Sequence, residues 1–235
     1  MKSLMLLPVA LAMSAAAHAG QGAQGVDQSP QRVYTYALSL DARGGVLDMT
    51  PHGFAPDSIS RALDGEISSW IFEPSAMSQG GQPTRTYLRV VVEPGRDAAG
   101  YSLVSATTGP APLTLDQPEY PLNDQRRGNE GTVVLELRIA TDGSVTEARV
   151  RGVSGNASRA MASAALSAAR DWTFKPEIVD GKPIEGTVLW PVCYLGLQSS
   201  VSSCSWSGPD DQRLSSKTVL TLNPAVRLVS PIALQ

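Results

Sequence analysis

Two stretches of the chain share one pattern of apolar and polar positions. In residues 34–49 (YTYALSLDARGGVLDM) and 131–150 (GTVVLELRIATDGSVTEARV), apolar residues alternate with polar ones, stop at a glycine turn, and alternate again. Period-two alternation predicts strands with one buried face, and the intervening turn makes each stretch a hairpin. Asp142-Gly143 suits a tight turn that needs positive φ, and Gly44-Gly45 takes its place upstream. The period then becomes helical. Ile59, Leu63, Ile67 and Trp70 fall on one face, and so do Met161, Ala165, Ala169 and Trp172. Asp57 or Ser58 is expected to cap the first helix, and Asn156 the second. Each helix runs into Trp-x-Phe-x-Pro (Trp70, Phe72, Pro74; Trp172, Phe174, Pro176), then Gly-x-Pro, then a further apolar strand. The chain has four tryptophans, so this recurrence marks an internal repeat.

The expected fold class is therefore α+β. It comprises two tandem small domains, each a β-hairpin, a helix and a third strand forming a three-stranded antiparallel sheet with the helix packed on it. A helix that carries the chain back across the sheet gives the strand order 2-1-3, with strands 2 and 3 as edges open to a partner. The boundaries read 1–19 as a signal peptide, 20–31 as a linker, 32–94 as the first domain and 95–116 as a second linker. The second domain is 117–195 and the tail 196–235.

The signal peptide rests on Lys2, an apolar run over residues 4–17 and the small-residue site Ala17-His18-Ala19, with cleavage expected before Gly20. The run is shorter than the roughly 20 residues of a membrane-spanning helix, so no span is expected after cleavage. A net charge of −3 gives no basic footprint for nucleic acid. In an exported chain, Cys193 and Cys204 are expected to form a disulfide; they lack C-x-x-C spacing and a nearby histidine, which argues against a metal pair. No nucleophile elbow, phosphate loop or metal cluster appears, and His52 is the one histidine of the mature chain. Neither an enzyme activity nor a cofactor is expected.

The second copy resembles the C-terminal domain of TonB energy transducers. The resemblance rests on Tyr120-Pro121 ahead of Glu130-Gly131, the Asp142-Gly143 turn, Ser154-Gly155, Trp172-x-Phe174-x-Pro176 and Asp180-Gly181-Lys182-Pro183, in that order. The first copy keeps the turn, Trp70, Phe72, Pro74 and Gly81-x-Pro83 but lacks the Tyr-Pro entry, as a degenerate relative would. The resemblance implies a periplasmic protein of a Gram-negative bacterium that recognises an outer-membrane or periplasmic protein, of the TonB-dependent receptor kind, by strand addition in transmembrane transport. Carried over residue by residue, the contacts are Gln117, Pro118, Tyr120 and Pro121 with Ile184, Gly186, Val188 and Trp190 of the third strand. Pro191 removes one backbone donor, so productive pairing is expected over residues 184–190, unless the tail covers that edge. The alternative is a structural scaffold or a homo-oligomeric envelope component. The retained membrane helix and long spacer of a transducer are not expected here, and Asp124 stands where a small apolar residue is usual in the family.

Overall fold

The computed structural model describes residues 31–74, 81–95, 100–196, 204–209, 212–215 and 217–230. The expected signal peptide lies outside them. Alternation folds β1 (Arg32–Leu40) and β2 (Val46–Pro51) into a hairpin that buries Tyr34, Tyr36, Leu38 and Leu40 on one face. α1 (Asp57–Ile67) lays Leu63 and Ile67 on that face. β3 (Phe72–Pro74) follows, and β4 (Thr84–Pro94) returns antiparallel along β1, giving the order β2-β1-β4.

Residues 95–116, expected to be a linker, instead contain β5 (Tyr101–Gly109) and β6 (Ala111–Thr114). β5 pairs with β4 from Tyr87–Gly109 to Pro94–Tyr101, so the third strand of the first unit is not an edge. α2 (Leu122–Arg127) then leads into the second unit. Its elements are β7 (Gly131–Ile139), β8 (Val145–Gly155), α3 (Arg159–Ala169), β9 (Thr173–Lys175), the short β10 (Ile178–Val179) and β11 (Lys182–Pro183), and β12 (Gly186–Tyr194). The order β8-β7-β12 repeats that of the first unit. Met161, Ala165 and Ala169 of α3 close its core together with Trp172 and Phe174.

The repeated aromatic motif has the same structural job in both units. Gly44 (φ +83°) and Gly143 (φ +87°) occupy the hairpin turns, where an added Cβ would overlap the carbonyl oxygens of Phe72 and Phe174. In return the Phe72 N–H donates to Gly44 O (3.3 Å) and the Phe174 N–H to Gly143 O (2.8 Å). The aromatic segment thus crosses the turn so closely that only glycine, which tolerates both the φ and the approach, fits beneath it.

The capping differs from expectation. Asn156 is held in the turn after β8, where its N–H donates to Glu130 O (2.6 Å). The helix begins later, and the Ser158 hydroxyl accepts the Met161 N–H at 3.2 Å. α1 has no side-chain cap; Pro56 precedes it and Asp57 opens its first turn, where a carboxylate suits the helix dipole.

The tail wraps both units. β13 (Ser205–Ser207) and β14 (Arg213–Ser215) form a hairpin on the reverse face of the second sheet, where Trp206 and Leu214 bury Val134 and Leu189. Then β15 (Leu220–Thr221) pairs with β12 at Val188–Thr221 and Leu189–Leu220. Last, β16 (Val226–Leu228) crosses to the first unit and pairs with β3. A reciprocal crossing joins β6 to β9. Each unit therefore completes the aromatic segment of the other. Glu177 ties the junction. Its buried carboxylate accepts the Thr86 hydroxyl (2.6 Å) and the Ala225 N–H (3.0 Å), and its C=O accepts the Ile184 N–H (3.0 Å).

The disulfide between Cys193 and Cys204 is present and anchors β13 to β12. Unfolded but unreduced protein should take up no thiol reagent. Cys204→Ser should lower unfolding stability by about 3 kcal/mol in chemical denaturation, the chain-entropy value for a loop of this size. Among the described residues no helix is long and apolar enough to cross a membrane.

Candidate functional site

β12 is the element to which the sequence assigned partner contacts, and its two edges have different fates. One pairs with β7 along its whole length, from Gly186–Ile139 to Tyr194–Gly131. On the other, the tail occupies the first half. Thr187 donates its N–H to Asn223 Oδ1 (2.8 Å) and accepts the Leu222 N–H (2.8 Å). The stretch expected to receive a partner, residues 184–190, is thus largely taken internally. Three of the expected contact residues are also turned to the interior. Ile184 packs against the first core, Gly186 is buried under Pro110, and Val188 is fully buried in the second core.

Gln117, Pro118, Tyr120 and Trp190 do come together. They line a groove of about 600 Å³ between the entry segment and the second half of β12, which Leu115, Trp172 and Cys193 also border. Pro121 instead sits at the start of α2. The sequence marked Trp172 as core alone and gave Tyr194 no role, although β12 carries both Trp190 and Tyr194. The rings stack edge to face: Tyr120 on Tyr194 at 5.4 Å between centroids and Trp172 on Trp190 at 5.8 Å.

The polar tips of Tyr120, Tyr194 and Trp172 are engaged with backbone carbonyls. The Tyr120 hydroxyl donates to Asn129 O (2.5 Å), Tyr194 to Met161 O (2.8 Å) and the Trp172 indole to Asp116 O (2.8 Å). Burial pushes the Tyr194 hydroxyl up to about 12, which keeps it a donor at any physiological pH. Behind Trp190, the Arg89 guanidinium lies 5.5 Å from the ring centre and donates to Lys217 O (3.1 Å). Burial lowers its pKa to about 10, so it remains a cation at neutral pH.

Asp124, the departure noted in the sequence, has a physical reason. Its carboxylate accepts from Asn129 Nδ2 (2.8 Å) and from the Ser158 hydroxyl (2.7 Å), bonds that hold its pKa below the usual carboxylate value. The short helix after Tyr-Pro is thereby fastened to the cap of α3, which fixes the groove's outer wall. Among the described residues, no group of three or more His, Cys, Asp or Glu is placed to hold a metal ion.

The comparisons with known proteins cover the same part of the chain. Residues 116–195 match the family model of the Gram-negative bacterial TonB protein C-terminal. Protein TonB of Vibrio cholerae is 34% identical over 76 residues, which are 32% of this chain and 30% of that protein. Protein tonB2 of Pseudomonas aeruginosa is 39% identical over 75 residues, 32% of this chain and 27% of that protein. The chain thus spans about a third of the length of the curated relatives it matches. The solution NMR structure of the Pseudomonas aeruginosa TonB C-terminal domain aligns at 27% identity with a TM-score of 0.32, over 39% of this chain and 89% of that one. Over the groove, β12 and the core behind them, this chain is thus similar in sequence to the C-terminal domain of the TonB proteins of Gram-negative bacteria.

Proposed function

We propose that this chain is a non-catalytic periplasmic protein that recognises an extended segment of an envelope protein, of the TonB-dependent receptor kind, by strand addition in TonB-linked transport. The observation that carries the reading is the aromatic groove beside the second half of β12. Thr187 turns both its backbone groups to the outer edge, so by the alternation of a strand Cys193 does the same, facing the groove. An extended segment lying there gains backbone hydrogen bonds from the edge and side-chain contacts from the rings. The docking stretch is therefore residues 191–194, beyond the part covered by β15, with Gln117, Pro118 and Tyr120 as its opposite wall.

A photo-cross-linking side chain at Gln117, which is exposed at the groove mouth, tests this in intact Gram-negative cells. The adduct should contain an outer-membrane receptor, and the added substitution Leu115→Arg should abolish it. The same probe at Phe54, exposed on the first unit, is the control. Equal adducts at both positions, or none at Gln117, would sink the reading.

A further inference from the structure

The proposed docking edge is short, and the tail is what makes it so. β15 lies directly in line with the open part of the edge, paired with Val188 and Leu189. It is anchored on both sides of its pairing. Lys217 O accepts from Arg89, while beyond β15 the Ala225 N–H is held by Glu177 and Val226 O accepts the Thr108 hydroxyl. Val219 and Thr221 are buried. An added strand running along β12 from Tyr194 therefore meets the tail before it reaches Leu189.

Within the stretch that no described strand covers, the backbone offers little. Pro191 has a carbonyl but no N–H, and Cys193 contributes one of each on that side, by the alternation that points Thr187 outward. Three hydrogen bonds of ordinary net strength do not hold a peptide, because ordering it costs about as much as they supply. The side chains must decide affinity. The groove walls are ring faces and edges, since the Tyr120, Tyr194 and Trp172 polar tips are all turned to internal carbonyls. Such walls accept an apolar side chain, while Asp116, the one charged residue that lines the groove among the described residues, repels an acidic one and leaves it without a partner.

We propose that the tail strand β15 is a fixed stop, and that the ligand of this edge is an extended segment of about four or five residues without acidic side chains, anchored by one large apolar side chain. The inference rests on reading the groove as the docking site and adds the length and chemistry of what docks.

Acetylated and amidated peptides titrated into the full, disulfide-bonded chain test it, with the Cys193 and Leu195 amides and the Trp190 indole N–H followed by NMR. The probe is SVLSV, a strand-forming pentamer with a central leucine, distinct in sequence from the tail's own residues 218–222. It should shift these signals, and SVESV should bind at least about tenfold more weakly, because Asp116 repels the added carboxylate. Extending SVLSV with alanine and threonine to twelve residues should change affinity by less than about threefold. In Leu222→Pro, which removes the N–H donated to Thr187, the twelve-residue peptide should gain about tenfold while the pentamer does not. A length-dependent affinity in the unmodified chain, or equal binding of the glutamate peptide, would overturn the proposal. If the pentamer does not bind while the Gln117 cross-link forms, the length and chemistry are wrong and the docking site stands. If neither is seen, the docking site itself falls.

Discussion

Trp172→Ala should cost about 3–5 kcal/mol of unfolding free energy, the usual range for emptying a buried tryptophan site. Domains hold only about 5–15 kcal/mol in total, so this is a large share. The side chain is 3% exposed and closes the space between α3 and β12. It also donates to Asp116 O, the bond that places the entry segment across the groove from β12. The substitution should therefore act twice. The denaturant midpoint falls, and even where the variant is still fully folded the Gln117 cross-link weakens, because residues 115–118 lose their fastening. Trp172→Phe should recover most of the stability and little of the cross-linking. Equal recovery of both would show that the indole N–H positions nothing.

Glu177→Ala should cost about 2–4 kcal/mol, because it leaves the Thr86 hydroxyl and the Ala225 N–H buried without acceptors. Glu177→Gln should cost far less. Its amide oxygen still accepts from Ala225, and its amide N–H finds the Thr86 oxygen once that hydroxyl rotates. The pair also separates charge from hydrogen bonding. Burial raises the Glu177 pKa, and the two donors only partly counter it. A raised carboxylate stabilises the fold fully below its unfolded pKa, and that contribution is lost as pH rises through the folded value. Relative to Glu177→Gln, the wild-type chain should therefore gain stability on acidification from neutral pH toward about pH 4. Parallel pH profiles of the two would refute the assignment. Asp41 and Asp142, whose pKa values are lowered chiefly by turn backbone bonds, act in the opposite direction at still lower pH and cancel in the comparison.

The elements with enough residues to show a period were legible in the sequence. Both hairpins, both helix faces and the 2-1-3 order follow from alternation and from Leu63, Ile67, Met161, Ala165 and Ala169. The disulfide followed from compartment and spacing. The crossing strands did not, for a physical reason. β15 has two residues and β16 three, too few to carry a pattern, and their partners lie far away in sequence. The site was legible in part. Gln117, Pro118, Tyr120 and Trp190 do meet, whereas Val188 turned out to be core. β12 is covered by α3 on one face and by the tail hairpin on the other, so it reads as apolar throughout and gives no sign of which side chains are presented.

The reciprocal crossing of β6 and β16 also dictates how the chain can mature. Ala225 and Val226, near its end, are built into the core that begins at Tyr34. Glu177 must meet Thr86 before either is screened from water. The N-terminal half consequently cannot finish folding as it emerges; it waits, with Phe72 exposed, until the last strand arrives. Contacts of such long sequence separation make assembly slow and all-or-none, and they leave the partly synthesised chain open and dependent on being kept from aggregation. In the periplasmic protein proposed above, late closure is compatible with threading through a membrane, since nothing on the way to the far side is yet locked.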